Sequence, residues 1–132
     1  MAAVDYQHDR HNVHLIVYHL IFCPKRRRRV LVGPVQKRLE QIIHEVIDEQ
    51  EWHLIELAIQ PDHVHAFVRT NPSTLPSDIP RLMKGRSSRL LRKEFAHLRN
   101  LSALWSPSYF LSTAGNVSSE TIQRYIQQQS EN

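Results

Sequence analysis

Gln60-Pro61-Asp62-His63-Val64-His65-Ala66-Phe67-Val68 joins a turn to an alternating run. Pro61 and Asp62 are turn residues. From His63 onward the side chains alternate with period two, the signature of a β-strand. Val64, Ala66 and Val68 share one face and suit a core. His63, His65 and Phe67 share the other, which sets two imidazoles side by side. Neutral imidazole is a common metal ligand, so such a pair suits one divalent ion. The plainer reading is a half-buried strand with two solvated histidines. The rest of the chain has to decide between them.

The neighbouring segments supply a fold around this strand. Trp52 to Ile59 forms a strand, and the tight turn at residues 60–62 makes it an antiparallel hairpin with the next. Glu56 falls mid-strand, either as an exposed edge residue or as a partner for a histidine. Val13 to Phe22 is almost continuously apolar and β-branched, a central strand buried on both faces. His14, Tyr18 and His19 interrupt it, and His19 reads more simply as a satisfied core histidine near the site than as a ligand. Cys23-Pro24 stops that strand, and residues 1–12 form a loose polar N-terminal segment.

Gly33-Pro34 opens a helix to about Glu51, with Val35, Leu39, Ile42, Ile43, Val46 and Ile47 on its buried face. Ser77 caps a second helix, which runs to Phe95 with Gly85 in its middle. His97 to Ser106 is a connection, and Tyr109 to Thr113 a fourth strand. Ala114-Gly115-Asn116 turns the chain into a last helix from about Glu120 to Gln129, capped by Ser118 or Ser119. The order β–α–β–β–α–β–α predicts an α+β, ferredoxin-like antiparallel sheet with helices on one face and an extra C-terminal helix. His63 and His65 then lie on the face the helices leave open. RNA-binding sheet platforms share that layout.

A chain of 132 residues predicts one domain with one core. No apolar run reaches the length of a membrane span, and the N-terminus lacks a signal peptide's apolar region, so no membrane partner is expected. A lone cysteine, Cys23, excludes an internal disulfide and fits a cytoplasmic setting. The net charge of +4 permits a nucleic-acid partner, and its distribution says more than its sum. Lys25, Arg26, Arg27, Arg28 and Arg29 are consecutive. The second helix carries Arg81, Lys84, Arg86, Arg89, Arg92 and Lys93, with no offsetting acid after Asp78 until Glu94. Solvated faces usually mix signs, so this one reads as phosphate-facing.

On the last helix Tyr125 and Gln129 are four apart and share a face. A tyrosine there is usually amphipathic packing. Beside a bound metal it can be a nucleophile, with Gln129, or its rival Gln128, offering a neutral oxygen as a third ligand.

Five stretches, taken together, carry a family resemblance. They are Tyr18-His19-Leu20-Ile21-Phe22-Cys23-Pro24-Lys25, Pro61-Asp62-His63-Val64-His65, Lys84-Gly85-Arg86-Ser87-Ser88-Arg89, Leu104-Trp105-Ser106-Pro107-Ser108-Tyr109-Phe110 and Arg124-Tyr125-Ile126. In this order the chain resembles the single-tyrosine transposases of the HUH superfamily, and within them the insertion sequence 200/605 family of TnpA type. The match runs from about residue 13 to 129. It implies His63, His65 and Gln129 as ligands of Mg²⁺ or Mn²⁺, and Tyr125 as the nucleophile that forms a 5′-phosphotyrosine on single-stranded DNA. It also implies hairpins at element ends as targets, and a homodimer in which each last helix serves its partner's histidine pair, with Gly115 as hinge. Arg27 departs from the pattern, since relatives often have an aromatic there. Three alternatives stay open: a related HUH nicking enzyme without transposition, a metal-dependent nuclease using water, and a non-catalytic single-strand binding module. The last expects clustered aromatics for base stacking, whereas aromatics are only 8% here.

Overall fold

The structure, a computed structural model, describes residues 7–8, 13–14, 16–113 and 118–131. In chain order the strands are β1 (Gln7–His8), β2 (Val13–His14), β3 (Ile16–Phe22), β4 (His53–Gln60), β5 (His63–Thr70) and β6 (Phe110–Thr113). The helices are α1 (Gly33–Glu49), α2 (Asp78–Glu94), the single turn α3 (Ala96–Arg99) and α4 (Ser119–Gln128). No helix among them is long and apolar enough to cross a membrane.

β3 to β6 form one sheet in the order β4-β5-β3-β6, with every neighbouring pair antiparallel. This is the ferredoxin-like order, with the first strand of the motif in the centre. The apolar run from Val13 does not enter the sheet whole. Val13–His14 pairs with Gln7–His8, inside the segment expected to be loose, and Ile16 begins the central strand. The rest of residues 1–12 lies outside the described residues, as does the Gly115 hinge.

Period two assigns the faces as expected. Leu20, Phe22, Val64, Ala66 and Val68 are fully buried against α1 and α2. Each such large side chain contributes about 1.5–3 kcal/mol when removed from water, so this side stabilises the fold and the histidine side is left for other work. α1 supplies Val35, Leu39, Ile42, Ile43, Val46 and Ile47, and α2 supplies Ile79, Met83 and Leu91. α1 ends two residues earlier than its periodicity suggests. Glu51 turns left-handed at φ 58°, and the Trp52 amide bonds the Ile47 carbonyl at 3.0 Å, a closure that seats Trp52 in the core. Gly85 does not interrupt α2. Ser77 precedes α2 without a side-chain cap bond, whereas the Ser118 hydroxyl accepts from the Thr121 amide at 3.1 Å and caps α4.

The histidine face is not wholly open. Ile126, with Ile122 and Tyr125, packs on Ile21, Cys23 and Phe110, so α4 lies over part of the side opposite α1 and α2. Ile21 is opposite His65 on one neighbour and Phe110 on the other, which places all three on that side.

Candidate active site

His63 and His65 stand on the α4 side of β5. The Asp62 carboxylate has no proton to give, so His63 Nδ1–H donates to its Oδ1, at 2.8 Å. That choice leaves His63 Nε2 as the lone-pair nitrogen, the arrangement carboxylates impose on metal-binding histidines. The other carboxylate oxygen, Oδ2, accepts from Arg27 Nε at 3.2 Å and Nη2 at 2.8 Å. Asp62 thus ties the basic turn at Lys25–Arg27 to His63. Burial opposes its ionisation, but the bonds from Arg27 and His63 outweigh burial and lower its pKa.

A carboxyl lowered in the folded state stabilises the protein above its unfolded pKa, and that contribution is lost as pH falls through the lowered value. Wild-type melting temperature is therefore expected to drop below about pH 4 more steeply than that of Asp62→Asn. Parallel acid limbs in thermal melts would contradict this role for Asp62.

His65 Nε2 lies 3.0 Å from His19 Nδ1, and the His19 ring leans on Phe67 with centroids 4.1 Å apart. Burial lowers the pKa of both histidines. His19 adds to the effect on His65, while the charge of Glu56 opposes it on each. Both imidazoles are therefore held in the neutral form that ligation needs. Glu56, exposed on the edge strand β4, and His19, each left between two roles by the sequence, both act on His65. Among the described residues no group of three or more His, Cys, Asp or Glu is gathered to hold a metal. The donor chemistry of His63 and His65 fits a divalent ion.

Tyr125 and Gln129 share a face of α4 and its continuation, and two serines gather them. The Tyr125 hydroxyl is 3.0 Å from Ser108 Oγ. Gln129 Oε1 accepts from Ser106 Oγ at 2.7 Å and from Ser108 Oγ at 3.0 Å, and Gln129 is buried. Gln128, its rival, is exposed. Burial pushes the Tyr125 phenol above its usual pKa, while hydrogen bonding to Ser108 pulls it back. Cys23, in the same packed cluster, is kept as an unreactive thiol, because burial first and Asp62 second push it up to about 12. Tyr125 stacks obliquely on Phe110 of β6, with centroids 5.8 Å apart. The β5 and β6 backbones are two strand spacings apart, about 10 Å. The tyrosine and the histidine pair thus occupy one side of the sheet, with the phenol held at the β6 edge.

The cations divide into engaged and exposed groups. Lys25 reaches Ser102 Oγ at 3.4 Å, and Arg26 is exposed with φ 60°. Arg27, also left-handed at φ 52°, bonds Asp62 and Ser130. Arg28 is half-buried. On α2, Arg86 pairs with Glu49 of α1, and Arg92 donates to the Leu101 carbonyl at 2.6 Å. Arg89 is exposed. Lys84 is half-buried and donates to the carbonyls of Ser106 at 2.8 Å and Ser108 at 3.0 Å.

Sequence reasoning gave Ser106 and Ser108 no role, although two serines two apart in an extended segment share a side. It treated Asp62 as a turn residue only.

The family model described as "Transposase IS200 like" matches residues 12–129. The chain belongs to the IS200-like transposase family. Membership makes DNA transposition its class of activity. This IS200-like protein is 30% identical to the ISDra2 transposase TnpA of Deinococcus radiodurans, over 98% of this chain and 94% of that protein. It is 27% identical to the transposase for insertion sequence element IS200 of Salmonella typhimurium, over 86% of this chain and 76% of that one. A crystal structure of a transposase candidate from Deinococcus radiodurans R1 superposes with TM-score 0.87 and 32% identity, covering 93% of this chain and 97% of that chain. A REP-associated tyrosine transposase bound to a REP hairpin shares the fold, with TM-score 0.55 and 16% identity over 91% of this chain and 67% of that chain.

Proposed function

We propose that this transposase cuts and rejoins single-stranded DNA through a covalent 5′-phosphotyrosine at Tyr125. The observation that carries the reading is that α4 brings Tyr125 and Gln129 to the same side of the sheet as His63 and His65.

Attack by the phenol oxygen forms the Tyr125 Oη–P bond and breaks the P–O3′ bond, and the departing 3′-oxygen takes up a proton. The phosphodiester energy is retained, so a second 3′-hydroxyl can reverse the step and join a new strand without a nucleotide cofactor. With its pKa raised, the phenol arrives protonated. The Ser108 hydroxyl, 3.0 Å away, orients the phenol, and the proton released as the Oη–P bond forms passes through solvent to the departing 3′-oxygen. His63, held by Asp62, and His65, beside His19, would hold a divalent ion, Mg²⁺ or Mn²⁺, with the Gln129 amide oxygen as third donor once it leaves the serines. When bound, such an ion polarises a phosphate and offsets its charge. Because all three donors are neutral, none of that charge is cancelled by the protein.

One nucleophilic tyrosine per chain means that two cleavages need two chains. A homodimer, with each α4 serving the partner's histidines, meets that need. In the single chain α4 packs on its own sheet, so the exchange is a feature of the proposal. Hairpins of the element ends are the expected substrate.

The test is incubation of the protein with labelled single-stranded DNA and Mn²⁺. A covalent protein–DNA band that survives denaturation is the expected product. Cleavage without any covalent species would point to water as nucleophile, and binding without cleavage to a non-catalytic module.

The exposed basic face of α2 carries a separate expectation. Arg89→Ala should weaken DNA binding and lower the slope of log K against log salt by about one. An unchanged slope would make Arg89 a solvated residue.

A further inference from the structure

The Lys84 ammonium does what an exposed phosphate contact does not. It is half-buried, and burial lowers its pKa. It spans two carbonyls of one short segment, Ser106 O and Ser108 O, and lies 5.9 Å above the Tyr109 ring. Those two residues are the ones whose hydroxyls meet Gln129 Oε1 and the Tyr125 phenol. The same segment is also held at its start. Ser106 N donates to Cys23 O at 2.9 Å, and Trp105 Nε1 donates to Ser87 Oγ at 3.0 Å, one turn along α2 from Lys84.

A cation between two carbonyls holds their peptide planes in a set orientation, and so aims the side chains they carry. We infer that Lys84 is a positioning residue for the nucleophile: it clamps the Ser106–Ser108 backbone so that the two hydroxyls dock Tyr125 and Gln129 of the C-terminal helix. The inference rests on the reading of Tyr125 as nucleophile, and adds a residue on the far layer of the fold that sets its place.

Lys84→Met keeps the stem and removes the ammonium. Its single-turnover rate of adduct formation is expected to fall about tenfold to a hundredfold, the usual cost of a lost outer contact or a displacement near 1 Å. Affinity for single-stranded DNA and its salt slope are expected to stay at the wild-type values. A slope lowered by about one would instead make Lys84 a phosphate contact and overturn the inference. In a mutant cycle, Lys84→Met is expected to add nothing to the combined Ser106→Ala and Ser108→Ala variant, because it acts through those two hydroxyls. Independent, additive losses would mark a general structural role and count against it. Hydrogen exchange of α4 amides gives a readout free of catalysis, with faster exchange expected in Lys84→Met and in the combined serine variant. Unchanged α4 protection in Lys84→Met sinks the inference even in a protein that forms no adduct, and an absent wild-type adduct sinks the nucleophile reading alone.

Discussion

Tyr125→Phe is expected to bind single-stranded DNA as the wild type does and to form no covalent adduct. The substitution removes one oxygen and leaves the ring on Phe110 and the packing of Ile122 and Ile126 on Ile21 and Cys23. What it loses is the group that Ser108 holds and that the chemistry needs. Loss of a covalent nucleophile costs on the order of 10⁴-fold or more in rate, so residual cleavage should fall below detection on gels that resolve the wild-type product. An adduct persisting in this variant would overturn the assignment and turn attention to Tyr18 or Tyr109. Tyr109 is exposed, near Lys84, and Tyr18 packs against the core on the other side of the sheet.

The second large effect concerns the histidine pair. His63→Ala and His65→Ala should each lower cleavage by at least about a hundredfold, since losing even an outer partner of a ligand costs ten- to a hundredfold. Fold stability should change by about 1 kcal/mol or less, because these side chains lie off the face that packs on α1 and α2. Full cleavage by either variant would remove the pair from the chemistry.

The same variants examine the exchange of helices between chains. In a mixed dimer of Tyr125→Phe with His63→Ala, sites built across chains give one composite site with both parts intact. Mixing two inactive proteins under subunit exchange should restore cleavage, with the adduct only on the His63→Ala chain. No restoration, with exchange shown independently, would mean that each site is built within one chain.

The histidine pair was legible in the sequence because a strand has an exact period of two. A turn at Pro61-Asp62 sets the phase, and every later side chain follows. The central place of β3 was legible for a similar reason, since Leu20 to Phe22 is apolar at consecutive positions. The serines were not. Ser106 and Ser108 meet Gln129 and Tyr125 across 17 to 23 residues of sequence, and no periodicity relates a loop hydroxyl to a helix that docks on it. Lys84 shows the same limit. Helical spacing places it with the other cations of α2, but a flexible four-carbon stem decides which carbonyls its ammonium reaches. Asp62 was hidden by its own chemistry, because a carboxylate in a turn and one that orients a histidine look alike until Arg27 and His63 converge on it.

The central claim is that the phenol of Tyr125 becomes bonded to the 5′-phosphate of a cleaved strand. Mass spectrometry of the isolated adduct, after nuclease and protease digestion, reads that bond directly. The account predicts a nucleotide phosphate on the peptide that contains Tyr125, with fragment ions placing it on that residue and a free 3′-hydroxyl on the released strand. A phosphate on any other residue, or cleavage that leaves a 5′-phosphate on DNA and an unmodified Tyr125, would contradict it.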